Sequence, residues 1–306
     1  MEKTEKIWLD GKVLPWDEAN VHILTHTLHY GVSLFEGIRA YQRADGRTHI
    51  FRLRDHVRRL FDGAKVVLMD MPFTPEQIVD ACVEMVRVNN QKSCYIRPLA
   101  FVGDGAMGLY AKNPTRMTVV VWPWGTYLGE DGLNKGIRAK VSSFTKLHVN
   151  ANMVKAKLGG QYVNAILAKR EVVRDGYDEA LLLDAEGYVT EASGENLFVV
   201  RDGILRTPPE GGALLSGITR ESVLTLARDL GIPVREERLT RDSVYIADEI
   251  FLTGTAAEVT PVREVDNRTI GSGRPGPITQ QLQAAYFDIV KGSDTRYERW
   301  LHWVER

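Results

Sequence analysis

The stretch TKLHVNANMVKAKLGGQYVNAILAKREVV, residues 145–173, sets Lys157 just before Leu158, Gly159 and Gly160 and continues into an amphipathic pattern. Apolar residues at Tyr162, Val163, Ile166, Leu167 and Val173 recur at helical spacing, and Gly176 stands where a helix stops. Backbone without Cβ atoms lets a ligand come close. A lysine so placed can lose its proton in a partly desolvated site and form a Schiff base. Taken alone, the commoner reading is a solvated basic loop leading into a helix, since most charged loops lie at the surface. Both readings stand at this point.

The 306 residues suffice for two domains or one large one with a sizeable core. Apolar residues at 44% and charged residues at 26% are ordinary globular values. A formal net charge of -1 gives no electrostatic case for nucleic acid or an anionic membrane. Cys82 and Cys94 make no CxxC pair and no metal spacing, so buried free thiols are expected. The N-terminal MEKTEKIWLDGKVLPW has no apolar stretch behind its charges, which argues against a signal peptide. The longest dense apolar run, Val119 to Trp122, is too short for a bilayer. A soluble, cytoplasmic protein is expected, with no membrane span.

Working outward, Ile7 to Trp16 alternates around Asp10-Gly11, a hairpin signal. His22, His26 and His29 fall at i, i+4 and i+7. On a helix that could be a metal face, but no HExxH pattern or acidic ligand accompanies it, so packing or hydrogen-bonding histidines are expected and no metal. Residues 54–69 read as a helix burying Val57, Leu60, Phe61, Ala64 and Val67 or Leu68, and a second helix follows Thr74-Pro75. Tyr95–Val102 and Met117–Trp122 read as strands. Between them Gly103–Gly108 fits GxGxxG, but no helix starts on its third glycine, so a flexible loop is expected rather than a dinucleotide site. The glycine-rich Trp124–Asn134 reads as an interdomain linker. Strands at 137–144, 180–184, 188–190 and 196–200 bracket the lysine helix. LLSGITRESVLTLARDLGIPV is a well-marked helix, strands near Ile204 and Ile250–Thr253 follow, and a last helix lies at 278–290. The pattern is mixed α+β in two domains: a small one over 1–124, a linker at 125–135 and a large one over 136–306 carrying the lysine.

Three further pieces suit a lysine-bound phosphorylated cofactor. Gly217-Ile218-Thr219 opens a helix, whose N–H groups and dipole favour phosphate. Gly254-Thr255-Ala256-Ala257 follows a strand with small residues and a hydroxyl that let backbone amides approach an anion. In TEASGENLF, Glu191 and Glu195 flank small residues, and pyridoxal phosphate needs an acidic partner for its pyridine nitrogen. Each has a plain alternative: a helix start, a turn, two solvated glutamates. Their coexistence with a lysine before Gly-Gly carries the argument.

At this point HYGVSLFEGIRAY, YIRPLAFVGDGAMG, KLGGQYVNAILAKREV, TEASGENLFVV, LLSGITRESV and FLTGTAAEVTPV together resemble the branched-chain amino acid aminotransferases. The match runs in register from about Ile7 to the last helix. It implies a two-domain fold-type IV pyridoxal phosphate enzyme of the D-amino acid aminotransferase-like kind. By the resemblance Lys157 holds pyridoxal 5'-phosphate, and Lys155 is rejected on its spacing to the glycines. Tyr162 bonds the cofactor's phenolic oxygen, Glu191 its pyridine nitrogen, and Leu215 packs on its ring. Arg59, Gly217, Ile218, Thr219 and Thr255 hold the phosphate. Tyr95, Thr255 and Ala256 take the substrate carboxylate with Arg97 nearby, and Phe35, Trp124, Tyr127 and Met107 resemble the side-chain pocket. Tyr30 and Leu109 resemble residues that reach in from a partner, which implies a homo-oligomer of at least two subunits with shared sites, a hexamer being the larger alternative. The loop LYAKNPTR at 109–116 and Leu158 depart from the family's commoner forms, which bears on pocket breadth.

The resemblance implies a reversible amino-group transfer from leucine, isoleucine or valine to 2-oxoglutarate. A D-amino acid or (R)-amine transaminase and an aminodeoxychorismate lyase are same-fold rivals, with YIRP and GTAAE favouring the branched-chain group. A nicotinamide oxidoreductase rests on GxGxxG alone. A silent scaffold is opposed by the intact lysine, glutamate and phosphate set.

Overall fold

Asp10 and Gly11 both take positive φ, so the chain reverses tightly and β1 (Lys6–Leu9) pairs with β2 (Lys12–Pro15), Leu9 opposite Lys12. A computed structural model describes residues 2–125 and 128–304. Contacts divide the chain into two units. One comprises Met1–Trp124, Ala156–Gly160 and Ile289–Arg306, the other Gly125–Lys155 and Gln161–Asp288.

In the first unit the hairpin leads to α1 (His26–Tyr30), β3 (Ser33–Phe35), β4 (Ile38–Gln42) and β5 (Thr48–Phe51). Next come α2 (Leu53–Val66), α3 (Pro75–Val88), β6 (Cys94–Val102) and β7 (Thr115–Trp122). The antiparallel sheet runs from a C-terminal strand, Leu301–Trp303, through β5, β4, β6, β7, β1 and β2, with β3 added on β6. Apolar faces of α2 and α3 supply Val57, Leu60, Ala64, Ile78, Cys82 and Met85 to one core with Ile38, Ile96 and Val119 of the sheet. Thr74 and Gln77 cap α3 reciprocally, and Pro75 occupies its first turn. Helix α2 stops earlier than its apolar pattern: Leu68 takes φ 55 and lies exposed beyond the last turn. Cys82 and Cys94 are free and buried, as expected.

The second unit begins with α4 (Gly129–Lys135), β8 (Ile137–Thr145), α5 (Val149–Asn152) and α6 (Tyr162–Arg174). It continues with β9 (Glu179–Leu183), β10 (Val189–Ala192), β11 (Asn196–Arg201), β12 (Ile204–Thr207) and α7 (Ile218–Asp229). Then follow β13 (Val234–Glu236), α8 (Arg241–Tyr245), β14 (Glu249–Gly254), β15 (Glu258–Val265), β16 (Arg268–Thr269) and α9 (Pro277–Val290). The mixed sheet has the order β10, β9, β8, β15, β14, β11, β12, β13, with β16 on β15. A further pairing of β10 with β11, Glu191 opposite Asn196, closes six of these strands into a ring.

Three expectations need correcting. The glycine-rich linker contains α4, whose Glu130 and Asp131 suit its first turn and whose Lys135 pairs with Asp131 at 2.9 Å. Gly132 there is no hinge; a Cβ on it would come within 2.9 Å of Ile137, so the helix needs glycine to sit close to β8. The apolar stripe of α6 is not the buried face: Val163 is 60% exposed, with Ile166, Leu167 and Val173 also exposed. Ala168 and Val172 pack inward against β8 and β9 instead. Finally, Ala156–Gly160 and Ile289–Arg306, read on sequence as parts of a C-terminal domain, group with the first unit. Leu158 bridges Leu34, and Leu301–Trp303 pairs with β5. Among the described residues no helix is long and apolar enough to cross a membrane.

Candidate active site

In the first unit, the end of β3 grips the lysine segment through backbone. Phe35 N donates to Lys157 O at 3.2 Å and Gly160 N to Gly31 O at 3.1 Å. A Cβ on Gly159 would collide with the Ser33 hydroxyl, and one on Gly160 would come within 3.1 Å of Gly31 O. The two glycines therefore serve the close approach of this segment to residues 31–33, not only that of a ligand. The Lys157 ammonium lies 5.1 Å from the centre of the Phe35 ring. The other two lysines nearby in sequence are occupied in the second unit: Lys155 Nζ donates to Glu210 O at 2.5 Å, and Lys146 pairs with Glu191.

Arg59 lies on α2, and its guanidinium meets Glu36, the residue after β3. Nε donates to Glu36 Oε1 at 2.7 Å and NH2 to Oε2 at 2.8 Å. His56, one turn earlier, reaches the same Oε2 from Nδ1 at 2.7 Å. Burial opposes ionisation of Glu36, yet Arg59 and His56 hold its carboxyl well below the usual range. Burial also pushes the His56 imidazole down, so Nδ1–H is the donor to an ionised Glu36.

Tyr95 and Arg97 share a face of β6, two residues apart. Arg97 NH2 donates to the Tyr95 hydroxyl at 3.2 Å, and its guanidinium lies 4.4 Å from the Phe35 ring centre and 5.8 Å from that of Trp122. A Cβ at Gly37 would strike the Tyr95 hydroxyl, which explains glycine there. Trp124 packs 5.1 Å from Tyr95, and Arg39 NH2 holds its carbonyl at 3.1 Å. So Phe35, Tyr95, Arg97 and Trp124 are brought together. Met107 and Leu109 lie in the exposed loop after β6, and Tyr30 ends α1, 40% exposed. Tyr127 lies outside the described residues. The GxGxxG segment is a loop, braced by Ala106 N on Asn113 Oδ1 at 2.9 Å and by His26 Nε2 at Gly108 O at 2.9 Å. His29 Nε2 meets Ile23 O at 2.9 Å, and His22 Nδ1 accepts from Leu24 N at 3.1 Å.

In the second unit Glu191 sits on the strand pair that closes the ring. Its Oε2 accepts from Leu215 N at 3.0 Å and Asn196 Nδ2 at 3.3 Å, while Oε1 pairs with the Lys146 ammonium. Asn196 also donates to Leu215 O at 3.0 Å, and a Cβ on Gly217 would collide with its Oδ1. Gly217 caps α7 with no side chain on the first-turn amides of Ile218 and Thr219. Thr255 and Ala256 lie in the turn between β14 and β15. Tyr162 opens α6, half-buried. Glu195, the other acid of this motif, behaves differently. It accepts from Gly194 N at 3.1 Å and lies among Glu179, Lys169 and Glu191. Burial, with the Glu179 charge, pushes it up to about 8, which favours its protonated form near neutral pH.

The class IV aminotransferase family model matches residues 33–265. The chain belongs to the class IV aminotransferases. It is 51% identical to a branched-chain-amino-acid aminotransferase of Pseudomonas aeruginosa, over 96% of this chain and 95% of that one. Its structure resembles that of the branched-chain amino acid aminotransferase of Escherichia coli with a TM-score of 0.97, at 44% identity over 99% and 100% of the two chains. It also resembles the branched-chain amino acid aminotransferase of Thermobaculum terrenum in its pyridoxal phosphate form, with a TM-score of 0.94 at 38% identity over the whole of both chains. Class IV aminotransferases work with pyridoxal 5'-phosphate, and the residues here fit that group. The start of α7 carries backbone donors with no side-chain cap, suited to a phosphate. Glu191 presents a buried carboxylate oxygen to a cation, as a protonated ring nitrogen requires.

Reading the sequence missed Glu36, His56, Arg39 and Asn196. Glu36 and Asn196 stand inside two of the quoted motifs, and His56 precedes Arg59 by three on one helix face, which was the available signal.

Proposed function

We propose that this class IV aminotransferase moves the amino group between leucine, isoleucine or valine and 2-oxoglutarate in one pocket serving both partners. The supporting observation is Arg97: it lies among Phe35, Tyr95 and Trp122, and its Nε has no hydrogen-bond partner among the described residues. An apolar, aromatic surround suits a branched side chain, whereas burying a second carboxylate unpaired would cost several kcal/mol. A guanidinium that makes no ion pair with a described carboxylate can supply the missing partner, since its fork matches a carboxylate bidentately.

When bound, pyridoxal 5'-phosphate supplies the electron sink that lets the substrate Cα–H bond break. Lys157 Nζ is the group that takes the Cα proton and returns it, general base in one direction and general acid in the other. Glu191 keeps the ring nitrogen protonated, with Leu215 N and Asn196 fixing its second oxygen. Tyr162 orients the phenolic oxygen, and Arg59 with the start of α7 and Thr255 holds the phosphate. Tyr95, Thr255 and Ala256 receive the α-carboxylate.

Arg97→Met tests the dual-recognition reading. We expect kcat/KM for glutamate and 2-oxoglutarate to fall by about 1.5–3 kcal/mol, the scale of a charge-assisted hydrogen bond, with leucine much less affected. Equal losses for leucine and glutamate would make Arg97 structural.

The same reading includes a second copy of the chain. Leu109 is 92% exposed, and Ile23, Leu28, Tyr30 and Tyr110 are exposed apolar side chains on α1 and the adjoining loops, which His26 ties together through Gly108. So much apolar surface on α1 and one loop favours burial against another molecule. Sedimentation at micromolar concentration should give a dimer or a multiple of it; a monomer would refute the shared-site reading.

A further inference from the structure

We propose that Glu36 and His56 are positioning residues that aim the guanidinium of Arg59 at the cofactor's phosphate. The inference rests on the reading of Arg59 as a phosphate holder given above.

Glu36 is 0% exposed, an unusual place for a carboxylate. Its backbone is fixed, with Glu36 N donating to Pro98 O at 2.9 Å. Its two oxygens are divided among one guanidinium and one imidazole: Oε1 takes Arg59 Nε, and Oε2 takes Arg59 NH2 and His56 Nδ1. A fork held by two parallel bonds at 2.7 and 2.8 Å has its plane set, because rotation about the last torsion breaks one of them. The bidentate grip of Glu36 therefore fixes the direction in which the guanidinium faces. His56 removes the remaining freedom. It sits on the same face of α2 as Arg59 and pins Oε2, so the carboxylate cannot pivot away from the arginine.

Stability alone is a weak reason for this arrangement. Taking two ions out of water costs much of what their attraction returns, and apolar replacements of buried pairs are often no less stable. Glu36 also offsets part of the charge that attracts a phosphate, so its benefit must lie in geometry rather than potential. Residues behind a ligating group act this way at metal sites, where removing the orienting partner costs 10–100-fold.

The test compares two probes on the apoprotein, pyridoxal 5'-phosphate and pyridoxal, which lacks the phosphate. Dissociation constants of both are titrated for the parent, Arg59→Met and Glu36→Gln, alongside thermal unfolding. Arg59→Met should abolish most of the preference for the phosphorylated probe. Glu36→Gln keeps the shape but sets an amide N–H₂ against an arginine donor; it should lose about tenfold of that preference, with pyridoxal binding nearly unchanged. His56→Phe should show the same sign and a smaller loss. If Glu36→Gln weakens both probes alike, or neither, while Arg59→Met lowers the preference, the positioning role is overturned and the Arg59 reading stands. If Arg59→Met leaves the preference intact, the phosphate reading itself falls, and the positioning role with it. Should Glu36→Gln not fold, Glu36→Asp carries the test, since it keeps the charge but withdraws the carboxylate by one methylene. An unchanged preference in Glu36→Asp also overturns the proposal.

Discussion

Lys157→Ala is expected to abolish turnover while leaving the chain folded. The segment is held by backbone: Lys157 O accepts from Phe35 N, Leu158 bridges Leu34, and the glycines close against Gly31 and Ser33. None of these contacts needs the lysine side chain, so the stability change should stay within about 1 kcal/mol, as for a substitution outside the core. On the proposed reading activity loses the group that carries the Cα proton, and that loss alone is worth about 10²–10⁴-fold. The cofactor should, on the same reading, still bind through its phosphate. Borohydride reduction of the parent followed by peptide mapping gives an independent measurement, with the pyridoxyl adduct expected on Lys157. Lys155 is engaged by Glu210 O and by Leu214 O at 3.3 Å, and Lys146 by Glu191, so neither amine is placed to compete. An adduct on either would end the assignment.

What could be read from the sequence was whatever leaves a local trace. Helix α3 announced itself by Thr74 and Pro75, and α7 by Gly217 before its apolar period, because caps and periodicity are written within a few residues. The six motifs carried the family for the same reason. Long-range pairing leaves no such trace. Nothing local to Lys157 says that its five-residue segment adds to the N-terminal unit, since the partner, Leu34, is more than a hundred residues away. The apolar stripe of α6 correctly marked a helix but not which face would be covered, because periodicity gives a direction and packing decides what lies there. Glu36 looked like any loop glutamate until α2 brought Arg59 and His56 to it. Glu191 and Glu195, four residues apart in one motif, could not be ranked by position alone; their neighbours separate them.

That separation gives the second large effect. Glu191→Gln should cut turnover by on the order of 10²-fold or more, the scale of losing one preorganised charge contact at a reacting group. A neutral amide can still accept from Leu215 N and Asn196 Nδ2, so the ring-closing pair of strands should persist. Its N–H₂ then faces the Lys146 ammonium, a donor against a donor, at a cost of about 1–3 kcal/mol that a typical domain tolerates. Circular dichroism should therefore match the parent while activity does not. Glu195→Gln is the control of equal size and opposite expectation. Burial and Glu179 favour the protonated form of Glu195 near neutral pH, so glutamine stands in for a neutral carboxyl and turnover should fall only mildly. Equal losses from the two substitutions would mean that the carboxylates act as one unit, or that Glu195 is the partner of the ring nitrogen. A severe loss at Glu195 with Glu191→Gln nearly normal would reverse the assignment outright. The ordering follows from which acid pairs directly with a cation: Glu191 does, with Lys146, whereas the Lys169 ammonium near Glu195 pairs with Glu179 and the Glu195 carboxyl accepts from the neutral Gly194 amide.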